Sequence, residues 1–396
     1  MPEVITEEIS LAKYPSKIAQ PNPKAKLALG DLDGNALKLV YFLIREGVLQ
    51  ISPEEYDRLV AIYQIPAEKL TKEILADFRA ILHKATITKP TPVITFIGDD
   101  LADRGMNDFY TLKIFEKLSL EGVKFSIIAS NHSAQFLKQY AIDLNAENQT
   151  IFTGNNREFG SSLHNLQTLL KNSAVSGVSA AEIDQIMIKH YLPKLVLLTY
   201  EQVSEKELGI YSHAPIDAFS IMDIAEIQSV DFHDETSAAL MQTIDHINAM
   251  FQRSLFASKK HLLLNMTKIQ AFEKLLNDRY SDLEKAIKAD PNLDYKRNYD
   301  VLNIHGHVGN EKPAPDVHFM WKFLNLDSQL GKRERQTDTY LVYTNNVNYK
   351  QVNIPEKNTP LDATETSTVA RQNMFTQTPA QTGDAPASSD QPAKKP

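Results

Sequence analysis

The sequence predicts an α/β fold on three observations. Short continuous apolar runs, such as VITFI at 93–97 and VKFSIIA at 123–129, suit strands buried on both faces. Helical apolar spacing fills the stretches between them, as with Leu37, Val40, Tyr41 and Ile44. The apolar runs end in Gly, Asp, Asn or His, the residues that make turns and ligate cations.

Taken in order, residues 1–25 read as an irregular lead-in, with prolines at 15, 21 and 23. A short strand at 26–29 runs into Gly30-Asp31, and a helix follows at 36–46. Residues 53–86 read as two helices broken near Pro66. The strand at 93–97 ends at Gly98-Asp99, and a helix follows at about 107–119. The strand at 123–129 ends at Ser130-Asn131-His132. Further strands are expected at 195–199 and 208–211, the second ending near His213. Residues 217–290 are strongly helical, with apolar positions such as Ile244, Ile247, Met250, Phe251 and Leu255. A strand at 301–304 runs into His305-Gly306-His307, and 317–326 and 338–344 alternate as two late strands. From 351 to 396 the chain is rich in Thr, Gln, Ala, Pro and Ser and should be a disordered polar tail. The expected organisation is therefore the lead-in, a catalytic domain over 26–350 with a helical insert or cap at about 217–290, and the tail.

Composition narrows the chemistry. The chain has 396 residues, enough for one large domain or two small ones, and a net charge of −8 without a basic concentration, which disfavours nucleic acid as a partner. It has no cysteine, which excludes disulfides, thiolate metal sites and a cysteine nucleophile. No window is apolar over the roughly 18 residues of a membrane span, and the acidic start MPEVITEEIS has no apolar signal core, so a soluble, cytoplasmic protein is expected.

Five segments carry the chemistry. In Gly30-Asp31-Leu32-Asp33-Gly34-Asn35 two carboxylates lie two residues apart, so an extended backbone points both to one side, as a hard divalent cation requires. In Gly98-Asp99-Asp100-Leu101-Ala102-Asp103-Arg104-Gly105 the guanidinium can grip two phosphate oxygens. Asn131-His132 offers an amide oxygen for a metal and an imidazole for general acid catalysis. Tyr211-Ser212-His213 and His305-Gly306-His307 add imidazole ligands. Taken singly, each has a plainer reading: a turn, a solvated Asp–Arg pair, a loop, a structural histidine. Their order and their strand-end placement point instead to two divalent metals about 3.5–4 Å apart, which polarise a phosphate and activate a bridging water for in-line attack.

These motifs resemble the calcineurin-like metallophosphoesterase superfamily and, within it, the phosphoprotein phosphatases, whose members carry GDxHG, GDxxDRG, GNHE, a histidine in an HGG-like turn and a late histidine. The match covers about 26–345, and Asn325-Leu326-Asp327 with Gly331-Lys332 resembles the family's late hairpin. The overall style is similar to the Wip-type effector phosphatases of Legionella. The resemblance implies a four-layer αββα β-sandwich flanked by helices. It implies Asp31, Asp33 and His307 on the first metal, Asp99 bridging, and Asn131 and His213 on the second. Arg104 would hold the phosphate, His132 would protonate the leaving oxygen, and Asp103 would orient and charge His132.

Several positions depart from the pattern. Asp33 stands where the family has histidine, which makes the site harder and favours Mn2+, with Mg2+, Fe or Zn as other candidates. One extra residue separates Gly98-Asp99 from Asp103-Arg104-Gly105, so either Asp99 or Asp100 bridges; the Gly-Asp strand end favours Asp99. Ser130 and Ser133 replace the glycine and glutamate around Asn131-His132, and Ala129 stands where a second phosphate-binding arginine is common. Arg157, Lys296 and Arg297 are candidate substitutes for that arginine.

The expected function is hydrolysis of phosphoserine or phosphothreonine in proteins, with phosphotyrosine a further candidate. The partners are a phosphoprotein substrate and a protein docking on the helical insert; an effector would act inside a host cell. A nucleotide or dinucleotide polyphosphate hydrolase, and a binding module without turnover, are the alternatives.

Overall fold

Strands that end at the five motifs run parallel to one another within each of two sheets, three in one and two in the other, which gathers their carboxyl ends at one edge of each sheet. The computed structural model describes residues 3–20, 22–143, 160–257, 270–289, 297–307, 309, 312, 321–328, 330–332, 338–345 and 350–354. A six-stranded sheet has the order Glu3–Ile9, Asp338–Thr344, Lys26–Leu29, Val93–Phe96, Phe125–Ile128, Leu195–Val196. The last four strands in that order are mutually parallel, and Asp338–Thr344 is antiparallel to both its neighbours. A four-stranded sheet has the order Lys322–Asn325, Asp300–His305, Glu207–Tyr211, Thr199–Ser204, the first three parallel. The parallel strands are apolar because both faces are covered; Leu29, Ile94, Phe96, Ile127 and Ile128 are buried.

The two sheets share a core. Ala28, Ile97, Ile128 and Tyr343 of the larger sheet region pack with Tyr211, Ile304 and Leu326 of the smaller. Glu201, buried on Thr199–Ser204, accepts hydrogen bonds from the Tyr343 hydroxyl and, at 3.3 Å, from the Asn345 amide, so a polar clamp joins the sheets as well.

Helix starts follow local chemistry. The Asn35 side chain accepts from the amides of Leu37 and Lys38, at 3.0 and 3.2 Å, and so caps the helix Ala36–Arg45. Leu39, Phe42, Leu43 and Ile44 of that helix are fully buried, each stabilising the fold by about 1.5–3 kcal/mol. Ser52 and Glu55 form a reciprocal capping box with Pro53 in the first turn of Pro53–Tyr63. A break at Pro66 precedes Lys72–Lys84.

The helical character of 217–290 takes the form of Ala218–Ile227, Ser237–Ala257, Gln270–Asn277 and Tyr280–Ala289 among the described residues. The insert is bolted to the sheets: the Asn248 side chain accepts from Leu197 N at 3.0 Å and donates to Leu198 O at 2.7 Å. Among the described residues no helix is long and apolar enough to cross a membrane.

Four expectations are corrected. Residues 1–25 are not an irregular lead-in, because Glu3–Ile9 pairs along its length with Asp338–Thr344 and Lys17–Ala19 pairs with Gln351–Asn353. The single strand expected at 195–199 is two, Leu195–Val196 and Thr199–Ser204, in different sheets, because Asn248 takes the Leu197 amide between them. Helices Asn131–Asp143, Ser161–Lys171, Ser173–Ser176 and Ala180–Ile186 lie where the sequence predicts no element. Residues 351–353 of the expected disordered tail instead form the strand Gln351–Asn353, paired with Lys17–Ala19; the rest of the tail beyond 354, and the part of the late strand at 317–320, lie outside the described residues.

Candidate metal centre

Asp31 follows the strand Lys26–Leu29, and both it and Asp33 are buried. The two Asp31 carboxylate oxygens accept from the His307 main-chain N–H at 3.0 Å each. Asp33 lies in the left-handed region, with φ 56°. Two lysines, not anticipated at the site, meet this pair. Lys38 donates to Asp33 Oδ2 at 3.2 Å and to the Asp31 main-chain oxygen. Lys332 lies 3.3 Å from Asp33 Oδ1 and 3.7 Å from Asp31 Oδ2. Burial nevertheless pushes both carboxyls up, Asp31 well above its ordinary range with Asp327 and Asp99 adding to the shift, and Asp33 to about 7 against the pull of Lys38 and Lys332.

Asp99 and Asp100 part company at the end of Val93–Phe96. Asp99 has φ 48° and its amide donates to Ser130 Oγ at 2.9 Å, which turns its carboxylate toward the histidines. Its Oδ1 is 3.4 Å from His213 Nε2. Burial opposes its charge, but His213, His132, His307 and Lys332 around it outweigh that, and the carboxyl is held below its ordinary range. Asp100 is fully buried beside Tyr191, where burial pushes its carboxyl up to about 7. Only Asp99 of the two joins the histidines.

His213 is fully buried at the end of Glu207–Tyr211. Its Nδ1 lies 2.8 Å from Ile97 O; a carbonyl only accepts, so Nδ1 carries the proton. Burial keeps the ring neutral by lowering its pKa, which leaves a bare lone pair on Nε2. That atom faces Asn131 Oδ1 at 3.0 Å. The His307 ring stacks obliquely on it, with centroids 4.9 Å apart. Ligand atoms of Asp99, His213 and His307 all lie within 4.8 Å of one another. The structure therefore brings the His307 ring to Asp99 and His213; toward Asp31 it offers its main-chain N–H.

Asp99 also shares a second group with Asp103 and His132, again within 4.8 Å. His132 Nδ1 is 2.8 Å from Ala102 O, and Nε2 is 3.8 Å from Asp103 Oδ1. Burial lowers the His132 pKa, but Asp99, Asp103 and the Ala102 carbonyl raise it more, and the net shift is upward. Burial raises the Asp103 carboxyl, with Asp99 adding to it. The Arg104 side chain is 54% exposed and rests one nitrogen on the two Asp103 oxygens, at 3.1 and 3.2 Å. Its free face is open to an incoming anion.

The residues fit divalent cations. Asp99 Oδ1 is buried without a hydrogen-bond donor, Asp33 Oδ1 faces the Lys332 ammonium at 3.3 Å, and the Asn131 oxygen and the His213 lone pair converge beside Asp99. Acceptors gathered without protons between them repel unless a cation stands among them. Strain is gathered here too. Of the five non-glycine residues with positive φ among those described, Asp33, Asp99, Ala102 and His307 belong to these segments.

Lys38, Lys332 and the roles of two serines are not legible in the sequence. Ser130 Oγ holds the Asp99 amide, and Ser162 Oγ accepts from the Asp103 amide at 3.0 Å. A lysine or serine has no sequence signature distinguishing it from surface polarity; only the Gly331-Lys332 turn next to Asp327 was visible. Arg297 does not replace the absent arginine: it binds Asp234 through Nε at 2.7 Å and lies over Trp321. Arg157 and Lys296 lie outside the described residues.

Residues 93–332 match a family model described as WipA-like, phosphatase domain, which covers more than half of the chain. Among solved structures the chain is similar to the phosphatase domain of the Legionella effector WipB, with a TM-score of 0.60 and 25% identity over 72% of this chain and 100% of that one. No curated protein matches the sequence.

Proposed function

Since the chain belongs to the WipA-like phosphatase domain family, we propose that it is a metal-dependent phosphoprotein phosphatase of the calcineurin-like type, its two sheets forming the centre of a four-layer αββα arrangement. Its substrates are phosphoserine, phosphothreonine or phosphotyrosine in proteins. The observation that carries the reading is the convergence of Asp99, Asn131, His213 and His307 on one space, with the Asp103–His132–Arg104 cluster at its rim. An effector protein among the similar structures makes delivery into a host cell part of this reading. The insert remains a candidate surface for a protein partner.

Asp31, Asp33, Asp99, Asn131, His213 and His307 would hold two divalent cations, Mn2+ by the hardness of this oxygen-rich set, with Mg2+, Fe or Zn as alternatives. When bound, such a pair neutralises phosphate charge and activates a water nucleophile. Arg104 binds and orients the phosphoryl oxygens from the exposed rim. His132, its Nδ1–H fixed by Ala102 O, presents Nε2 on the Asp103 side and there passes a proton to the leaving oxygen. Asp103, held through its amide by Ser162, keeps that imidazole charged and oriented.

The test is phosphate release from phosphoserine, phosphothreonine and phosphotyrosine peptides by metal-loaded protein. Activity that vanishes in excess chelator and returns with Mn2+ supports the proposal. Activity that survives chelation overturns the metal dependence, and inactivity on every phosphopeptide overturns the substrate class.

A further inference from the structure

The side chain of Lys332 enters the site from a loop in which the sequence suggests only a hairpin turn. Its ammonium is 2.7 Å from Asp327 Oδ2, 3.3 Å from Asp33 Oδ1 and 3.7 Å from Asp31 Oδ2. All three carboxylates are buried. Three anionic oxygens around one ammonium form a cation site whose occupant is covalently attached to the chain.

The loop is built to hold it there. Gly331 has φ 84°, and a Cβ at that position would sit 2.5 Å from Asn35 Nδ2. The same Asn35 amide donates to Gly331 O at 3.4 Å, while its oxygen caps the helix Ala36–Arg45. One residue of the first motif thus fixes both the helix behind Asp33 and the turn before Lys332. Asp327, beyond the end of Lys322–Asn325, is itself anchored by accepting from Gly309 N at 2.8 Å.

We infer that Lys332 is a resident counter-ion that occupies the Asp31–Asp33 cation position and must leave the two carboxylates before a divalent metal can take them. The inference rests on the metal reading proposed above. An ammonium and a divalent cation repel strongly at contact distance, so the same oxygens serve one or the other. Lys332 forms its ion pairs with Asp31, Asp33 and Asp327, while the ligand atoms of Asp99, His213 and His307 lie within 4.8 Å of one another, so a metal on that side needs no such exchange. Loading is therefore sequential: a tight step at Asp99, Asn131, His213 and His307, and a weaker one at Asp31 and Asp33 coupled to release of the lysine.

Calorimetric titration of the full chain with Mn2+ tests this on the wild type, Lys332→Gln and Lys332→Arg. The weaker step should tighten at least about tenfold in Lys332→Gln, the tight step should stay within about threefold, and Lys332→Arg should follow the wild type. Equal affinities in wild type and Lys332→Gln overturn the inference alone; absence of Mn2+ binding in all three proteins overturns the metal reading beneath it. Because Lys332→Gln removes charge compensation from buried carboxylates and can impair folding, a measurement on the wild type stands beside it. Amine-reactive labelling read by mass spectrometry should rise severalfold at Lys332 when Mn2+ saturates the protein, as the ammonium moves toward solvent. Labelling unchanged by Mn2+ overturns the exchange.

Discussion

His307 donates its ring Nε2–H to the main-chain oxygen of Asn277, 3.1 Å away. A carbonyl only accepts, so the lone pair of His307 is on Nδ1. His213 is fixed in the opposite tautomer by Ile97 O, with its lone pair on Nε2. The two rings, tilted by 59°, thus differ in which nitrogen is available, and each choice is made by a main-chain carbonyl rather than a carboxylate. Asn277 ends the helix Gln270–Asn277, so the inserted helices do more than cover the sheet: one of them orients a site histidine.

That role predicts a defect at a distance. Leu276 is buried next to Asn277 in the same helix. Leu276→Ala should cost about 2–5 kcal/mol of stability and, by loosening the carbonyl that sets His307, weaken Mn2+ binding about 10–100-fold. Calorimetry well below the melting temperature checks this. A folded variant with wild-type affinity would detach the insert from the site.

Arg104 should matter to substrate and not to the fold. Its side chain is more than half exposed and contacts Asp103 through one nitrogen. Arg104→Ala should leave stability within about 0.5 kcal/mol while lowering kcat/KM for phosphopeptides by about 10²–10³. Arg104→Lys should recover only part of the loss, since an ammonium cannot make the paired contact of a guanidinium. Full recovery would reduce the role of Arg104 to point charge.

His132 is placed to protonate a leaving oxygen, and its effect should depend on how much help the leaving group needs. His132→Ala should lower kcat on a phosphoserine peptide by about 10²–10⁴ and on nitrophenyl phosphate far less. Steady-state assays on the two substrates decide it. Equal losses on both would mean that His132 acts in binding.

The parts of this molecule legible in the sequence are those where one physical demand dominates. Val93–Phe96 and Phe125–Ile128 read as strands because both their faces are buried, which leaves a continuous apolar run. Glu3–Ile9 did not, because only Ile9 of its seven residues is buried and its partner lies more than 300 residues on. The site's carboxylates and histidines were visible because glycines and strand ends frame them. Lys38 and Lys332 were not, since a lysine is ordinarily a surface charge and only the folded chain shows that these two meet buried aspartates. The choice between Asp99 and Asp100 turned on a positive φ and a serine hydroxyl 31 residues away, neither of which spacing alone reveals.

The edge strand offers a pH-dependent prediction away from the site. Glu7 accepts from Lys17 at 2.9 Å and from the fully buried Arg45 at 3.0 Å, and Arg45 also lies over the Tyr340 ring. Burial opposes the Glu7 charge, but the two cations outweigh it and lower the pKa. A carboxyl depressed in the folded state contributes stability above its unfolded value, about 4.3, and loses that contribution as pH falls through the folded value. Glu7→Gln should therefore cost about 1–3 kcal/mol at pH 7, and the gap between wild type and variant should close below about pH 4. Urea denaturation at pH 7, 5 and 3.5 measures the gap. A difference that stays constant across this range would mean that Glu7 acts through packing and neutral hydrogen bonds, not through the charge that holds the strand Glu3–Ile9 against Arg45.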